Sequence, residues 1–251
     1  MKSAFTLRRE EQKTNIGWDT DLRSAMPGHD PHRHPEKSRR AILNAAVDEF
    51  AEHGIAGARI DAIAKAAQVN KALLYYYFND KDALYEAVLD HVFSGLQARI
   101  MPVFQSELPP REKLLEYVGR YFDYIAENPR FPRVVQAEWM RMGQKGDRRM
   151  LRIARQYFRP IYRHVAAILR EGADKGELRR VNPVDFLPTL VGMIVFYFSS
   201  APRIRMLLKI DPLSKARIAE RRQFVLAFVS TALFNHQRWK TSNVHRHRTR
   251  R

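Results

Sequence analysis

The chain has 251 residues, 45% hydrophobic and 28% charged, a composition ordinary for one or two globular domains with a sizeable core. It contains no cysteine, which excludes a disulfide scaffold, a cysteine-ligated metal site and a thiol nucleophile. Lys and Arg number 44 against 27 Asp and Glu, and the formal net charge of +17 makes a polyanionic partner plausible while leaving the fold open.

Residues 1–35 contain Pro27, Gly28, Pro31 and Pro35 and carry no sustained periodicity, so they read as a flexible arm. From residue 36 to about 53, Ile42, Ala46 and Phe50 recur every four residues with Leu43 and Val47 beside them, which predicts a helix that Gly54 stops in a left-handed conformation. A short helix carrying Ile60, Ile63, Ala64 and Ala67 follows, then the turn Gln68-Val69-Asn70, then a second short helix from Lys71 to Phe78. Asn70 suits the N-cap of that helix, and Leu74 and Phe78, four apart, point inward together. Asn79 or Asp80 caps the next helix, with Leu84, Val88, Val92 and Leu96 on its apolar side.

Further helices are expected around Leu114, Val118, Tyr121 and Ile125, and from about 130 to 143 around Val134, Val135, Trp139 and Met142. The series Leu151, Ala154, Phe158, Ile161, Val165 and Ile168 predicts one continuous amphipathic helix, closed by Gly172 and Gly176. Residues 184–200 are apolar nearly all round, which predicts a helix buried on more than one side, and a last helix is expected over about 214–236. No strand-period alternation and no fixed repeat occurs, so the expected class is all-α. The longest apolar run, Phe186 to Phe198, falls short of the about 20 residues a membrane helix needs. The opening MKSAFTLRREEQ also lacks the apolar centre of a signal peptide. A soluble, cytoplasmic protein with no membrane partner is expected.

Two short helices joined by a three- to four-residue turn, the second with a polar and aromatic outer face, have the form of a helix-turn-helix. Residues 36–88 closely resemble the DNA-binding domain of the TetR family of transcriptional repressors. The resemblance rests on Ile42, Ala46, Phe50, Gly54, Ile63-Ala64, Val69, the block Leu74-Tyr75-Tyr76-Tyr77-Phe78, Lys81 and Leu84. It implies a homodimer with a second, helical domain that binds a small molecule. No cofactor and no catalysis are expected, because the sequence has no Gly-rich phosphate loop and no nucleophile with an orienting base. The family pattern has Thr at the start of the second helix and an acidic residue three later, a capping box. Arg59 and Ala62 stand at those positions, a loss of about 1 kcal/mol. Gln68 occupies the turn position that is usually Gly, and is strained if that position has positive φ.

The second short helix is expected in the major groove, with its first turn toward the base edges. Asn70, Lys71, Ala72 and Leu73 stand at that turn and Tyr76 and Tyr77 one turn on. Lys71 can donate to guanine O6 and N7, while Ala72 and Leu73 offer only apolar contact, for example to a thymine methyl. Tyr75, Tyr77, Lys81 and Arg59 suit phosphate oxygens, which fix register; alternatively the tyrosines pack beneath the domain. The segment 36–83 carries seven basic and seven acidic residues, so DNA contact there depends on the placement of a few cations.

The expected organisation is an arm over 1–35, the DNA-binding domain over 36–83, a helical ligand-binding and dimerisation domain over 84–236, and a basic tail over 237–251. The helices about 184–200 and 214–236 are expected to pair with those of a second copy. Tyr121, Trp139, Met142, Tyr157, Tyr162, Met193 and Phe196 are candidates to line the pocket of an unknown inducer, otherwise plain core. The Arg-rich stretch 141–180 reads as a solvated face or as a site for an anionic inducer, and Asp48-Glu49 as solvated charge on an outer helix face. The histidines at 29, 32, 34, 245 and 247 form no convincing metal site, and no metal is expected. A competing reading is a helical protein that binds nucleic acid nonspecifically through its basic segments.

Overall fold

The computed structural model describes residues 35–141 and 148–235. The arm, the basic tail and Met142 lie outside the described residues, as does the Trp139 side chain. Among the described residues the secondary structure is helical, apart from an isolated bridge between Leu178 and Phe234.

The first three helices are α1 (Pro35–Gly57), α2 (Ile60–Ala66) and α3 (Lys71–Phe78). Ile42, Leu43, Ala46 and Phe50 of α1, Ile63 and Ala64 of α2, and Leu74 and Phe78 of α3 are buried against one another, as the spacing predicts. Gly54 has φ 63°, the expected left-handed break, although one more helical turn follows it. At the N-cap of α2 the Arg59 side chain caps nothing, but its backbone N–H donates to Glu49 Oε1 at 2.9 Å. A capping box would draw that carboxylate from the third helical residue of α2, where Ala62 stands. Here it comes from α1, ten residues upstream, and Glu49 is a structural group instead of solvated charge.

Helix α4 (Lys81–Phe104) starts at Asp80, whose Oδ1 accepts the Ala83 N–H at 2.7 Å; Asn79 is instead the C-cap of α3 with φ 56°. Leu84, Tyr85 and Val88 near its start are buried with α1, and the Tyr85 ring meets Phe50 edge-on at 5.0 Å. Val92, Phe93, Leu96 and Ile100 further along are buried with the helices downstream. The expected boundary between residues 83 and 84 therefore falls inside one unbroken helix.

Downstream lie α5 (Pro110–Glu127), α6 (Phe131–Arg141), α7 (Arg148–Ile153), a π turn (Ala154–Phe158) and α8 (Arg159–Asp174). The single helix expected through residues 151–168 is thus interrupted. Pro160 has no N–H to donate, and its ring crowds the carbonyl of Gln156, so the chain widens by one residue per turn there. The extra residue rotates the apolar stripe: Ile153 and Tyr157 are buried while Leu151, expected inside, is 55% exposed.

Helix α9 (Pro183–Ser199) buries Phe186, Leu190, Ile194, Val195 and Phe198 on one side only. Its other side exposes Val184, Val191 and Phe196, so within one chain the helix is buried on a single side. A 57° bend leads into α10 (Ala201–Leu208), which periodicity alone did not separate, with Pro202 in its first turn. Helix α11 (Lys215–Leu233) packs on α5 through Val225 and Val229. The strand-like bridge, with Arg179 N–H to Leu233 O at 2.8 Å, ties the end of α11 to the loop after α8.

Gln68 adopts φ 56°, a conformation that costs a residue with a Cβ about 1–2 kcal/mol and glycine much less. Replacing Gln68 by Gly relieves that strain and raises the thermal midpoint by about 2–4 °C in a calorimetric scan.

Candidate nucleic-acid interface

The outer face of α3 is set by what lies beneath it. Leu74 is fully buried and Phe78 nearly so, and the Asn70 side chain accepts the Leu73 N–H at 2.6 Å, fixing the helix start. Asn70, expected among the DNA contacts, thus spends its acceptor on the cap. On the opposite face Lys71, Ala72, Tyr75 and Tyr76 are exposed, Tyr76 at 76%, and Leu73 and Tyr77 are half-buried. Tyr76 and Tyr77 hold each other edge-to-face at 5.4 Å, so Tyr77 is both a packing residue and a partial surface group.

Two of the expected cations already have partners. Lys71 Nζ lies 2.9 Å from Asp61 Oδ1, a pair in which each partner favours the other's charged form: the lysine is held above its ordinary range and the carboxyl below. Lys81 donates to the Ala56 carbonyl at 3.1 Å and so ties the start of α4 to the end of α1. Arg59 is exposed at the head of α2. Arg39, on α1, places its guanidinium 5.5 Å from the Phe78 ring centre and so stands exposed at the end of α3. Sequence reading took α1 as scaffold alone; the only signal for Arg39 was a cation one turn into that helix.

The arrangement is a short rod with a rigid apolar underside and a face of one lysine, two small or aliphatic residues and three tyrosines. Such a face carries groups of the kinds that meet base edges and phosphate oxygens: an ammonium, phenol hydroxyls and flanking cations. No described helix is long and apolar enough by itself to cross a membrane, and no group of three or more potential metal ligands occurs among the described residues.

The helices around α3 are clamped to the rest of the chain by charge. Arg130, just before α6, meets Asp48 at 3.1 Å and Glu52 at 3.7 Å on α1. Asp82, Glu86 and Asp90 form a stripe along α4; Arg149 takes the first two, and Arg152 bonds Asp90 at 2.7 Å. Two arginines of the basic middle stretch, Arg149 and Arg152, are therefore ion-paired to α4 and are not simply a solvated face. Tyr157 donates to Asp90 at 3.1 Å, and burial with that carboxylate beside it pushes its hydroxyl up to about 12, so it stays a donor at neutral pH. Tyr85 donates to the buried Glu138 of α6 at 2.9 Å.

The described pocket candidates differ in burial. Tyr121 and Tyr157 are interior, Met193 is half-buried, and Tyr162 and Phe196 are exposed on the surface. An open cleft of about 430 Å³ lies beside the π turn, lined by Arg148, Leu151, Arg152, Arg155 and Gln156.

Comparison with known proteins agrees with this geometry. Residues 42–88 match the family described as bacterial regulatory proteins, tetR family. Residues 110–229 match the tetracyclin repressor-like C-terminal domain. The chain is 34% identical over 162 residues to the HTH-type transcriptional repressor SCO4008 of Streptomyces coelicolor, covering 64% of this chain and 78% of that protein. It is 25% identical to the HTH-type transcriptional repressor NicS of Pseudomonas putida, over 76% of this chain and 89% of the other. Among solved structures, the ketosteroid transcriptional regulator KstR2 of Mycobacterium tuberculosis superposes with a TM-score of 0.65 over 79% of this chain and 95% of its own, at 19% identity, a likeness of fold. The helix-turn-helix and the helical half together define a DNA-binding transcriptional regulator, not an enzyme. The chain belongs to the TetR family.

Lys71→Ala is expected to cost about 1–3 kcal/mol on the preferred DNA sequence and less on random DNA, measured by fluorescence anisotropy with both duplexes.

Proposed function

We propose that the chain is a cytoplasmic repressor that binds a palindromic operator as a homodimer and is released by a small molecule held in its second domain. In this reading residues 36–83 bind DNA and 84–236 bind ligand and partner. The observation that carries it is the face of α3: Lys71, Ala72 and Tyr76 exposed above the buried Leu74 and Phe78. One such helix reads only a few base pairs, and a two-fold pair reads two half-sites about a helical turn apart or a multiple of it.

Support for the dimer comes from α9 and α11. Phe196, Phe224 and Phe228 are 66%, 54% and 50% exposed, and the last two stack at 6.2 Å. Aromatic rings left open on two helices, beside a well-filled core, fit an isologous four-helix interface. In this placement Phe196 is an interface residue and not a pocket residue. Support for the ligand site is slighter: Gln156, which lines the arginine-rich cleft, donates to the buried Tyr157, and Tyr157 in turn donates to Asp90 on α4. A ligand there releases DNA only to the extent that it binds the non-binding arrangement more tightly.

Selection of bound duplexes from a random pool tests the reading, with a palindromic motif as the expected result and a flat pool as the overturning one. A flat pool together with binding lost on removal of 237–251 favours the competing electrostatic reading. Phe228→Glu places a charge in the proposed interface. It is expected to give a monomer in sedimentation and to weaken operator binding by about a hundredfold or more, since the second half-site no longer adds its share.

A further inference from the structure

From Arg59 to Phe78 the chain has one carboxylate, Asp61, against three cations, Arg59, Lys65 and Lys71. A surface that approaches a polyphosphate gains from every cation and loses from every anion. Asp61 is nevertheless in the first turn of α2, 62% exposed, and its Oδ1 sits 2.9 Å from the ammonium of Lys71, itself 51% exposed. Lys71 is the first residue of α3, the position from which a side chain reaches base edges. An exposed ion pair contributes little to stability, so stability alone is a weak reason for this carboxylate to stand there. The N-terminal turn of α2 is a second reason, since Arg59 provides no side-chain cap and an acid near a helix start is favourable.

We propose that Asp61 is a specificity-determining residue that acts through Lys71, holding its ammonium away from phosphates until a base edge offers better acceptors. The inference rests on the DNA-reading role of α3 proposed above. On an arbitrary sequence Lys71 remains paired and its charge is cancelled, so it adds nothing to backbone attraction. On the preferred sequence the ammonium exchanges one carboxylate oxygen for the paired acceptors O6 and N7 of a guanine, or keeps both partners while the free oxygen of Asp61 accepts from a cytosine N4. In both arrangements the carboxylate penalises wrong DNA more than right DNA, which raises the ratio of affinities without raising the affinity itself.

The test measures binding of wild type, Asp61→Asn, Lys71→Ala and the double variant to the selected duplex and to random duplex, over a range of salt. Asp61→Asn is expected to strengthen random-duplex binding by about threefold or more and to steepen its log–log salt slope by about 0.9, one added phosphate contact, while the selected duplex gains less. In the Lys71→Ala background the same substitution is expected to leave the ratio of affinities unchanged, because the cation through which it acts is gone. Equal weakening of both duplexes by Asp61→Asn assigns the residue to the start of α2 and overturns the proposal, as does an unchanged ratio or an equal effect in both backgrounds. If wild type selects a palindromic motif and Asp61→Asn leaves discrimination intact, this inference alone fails. If wild type selects no motif, the operator reading fails and this inference fails with it.

Discussion

One helix is shared between the two halves of the molecule, and the rest of the structure is arranged around that sharing. Helix α4 is 24 residues long, about 36 Å, and no loop divides its DNA-side half from its core-side half. Leu84, Tyr85 and Val88 complete the core under α1, while Val92, Phe93, Leu96 and Ile100 belong to the core with the later helices. Each of these side chains is almost wholly buried, and deleting one typically costs several kcal/mol. Helix α3 therefore has no independent position: it rests on α2 and α4, and α4 is rooted in the second domain.

Charge supplements this packing at the seam. Three acids on α4 face arginines from α7, and two acids on α1 face Arg130. Exposed pairs of this kind are individually worth little, but several in one line share the entropy already lost by their neighbours and fix which surfaces meet. Aromatic rings occupy the interior behind them: Phe93 has Phe131, Tyr157 and Phe158 around it at 5.0–5.8 Å. The hydroxyl of Tyr157 is the point where that apolar interior reaches the charged seam.

The surface around α3 shows the same economy of groups. The cap of α3, the start of α4 and the N-terminus of α2 each use one side-chain oxygen on one backbone N–H: Asn70, Asp80 and Glu49. The first two were legible because a cap lies next to its helix in the chain. The third was not, because Glu49 reaches Arg59 only after α1 has packed beside α2; in sequence it is one of two adjacent acids on a helix. The strain expected at Gln68 was equally local, and its φ of 56° bears it out.

Local order along the chain determined the helices, their buried spacing, the helix-turn-helix and the family, since 3.6-residue periodicity and caps act over a few residues. Tertiary structure alone decided what the charged and interrupted segments do. The π turn before Pro160 shifted the apolar stripe, so that Ile153 and Tyr157 are interior while Leu151, which spacing had placed inside, is exposed. The packing of α7 against α4 turned surface arginines into partners of Asp90 and Glu86, and the fold of α2 against α3 gave Lys71 its carboxylate. The physical reason is common to the last two: a helix phase is written by neighbours in sequence, whereas a charge acquires its partner only when segments ten or more residues apart are brought within a few ångströms.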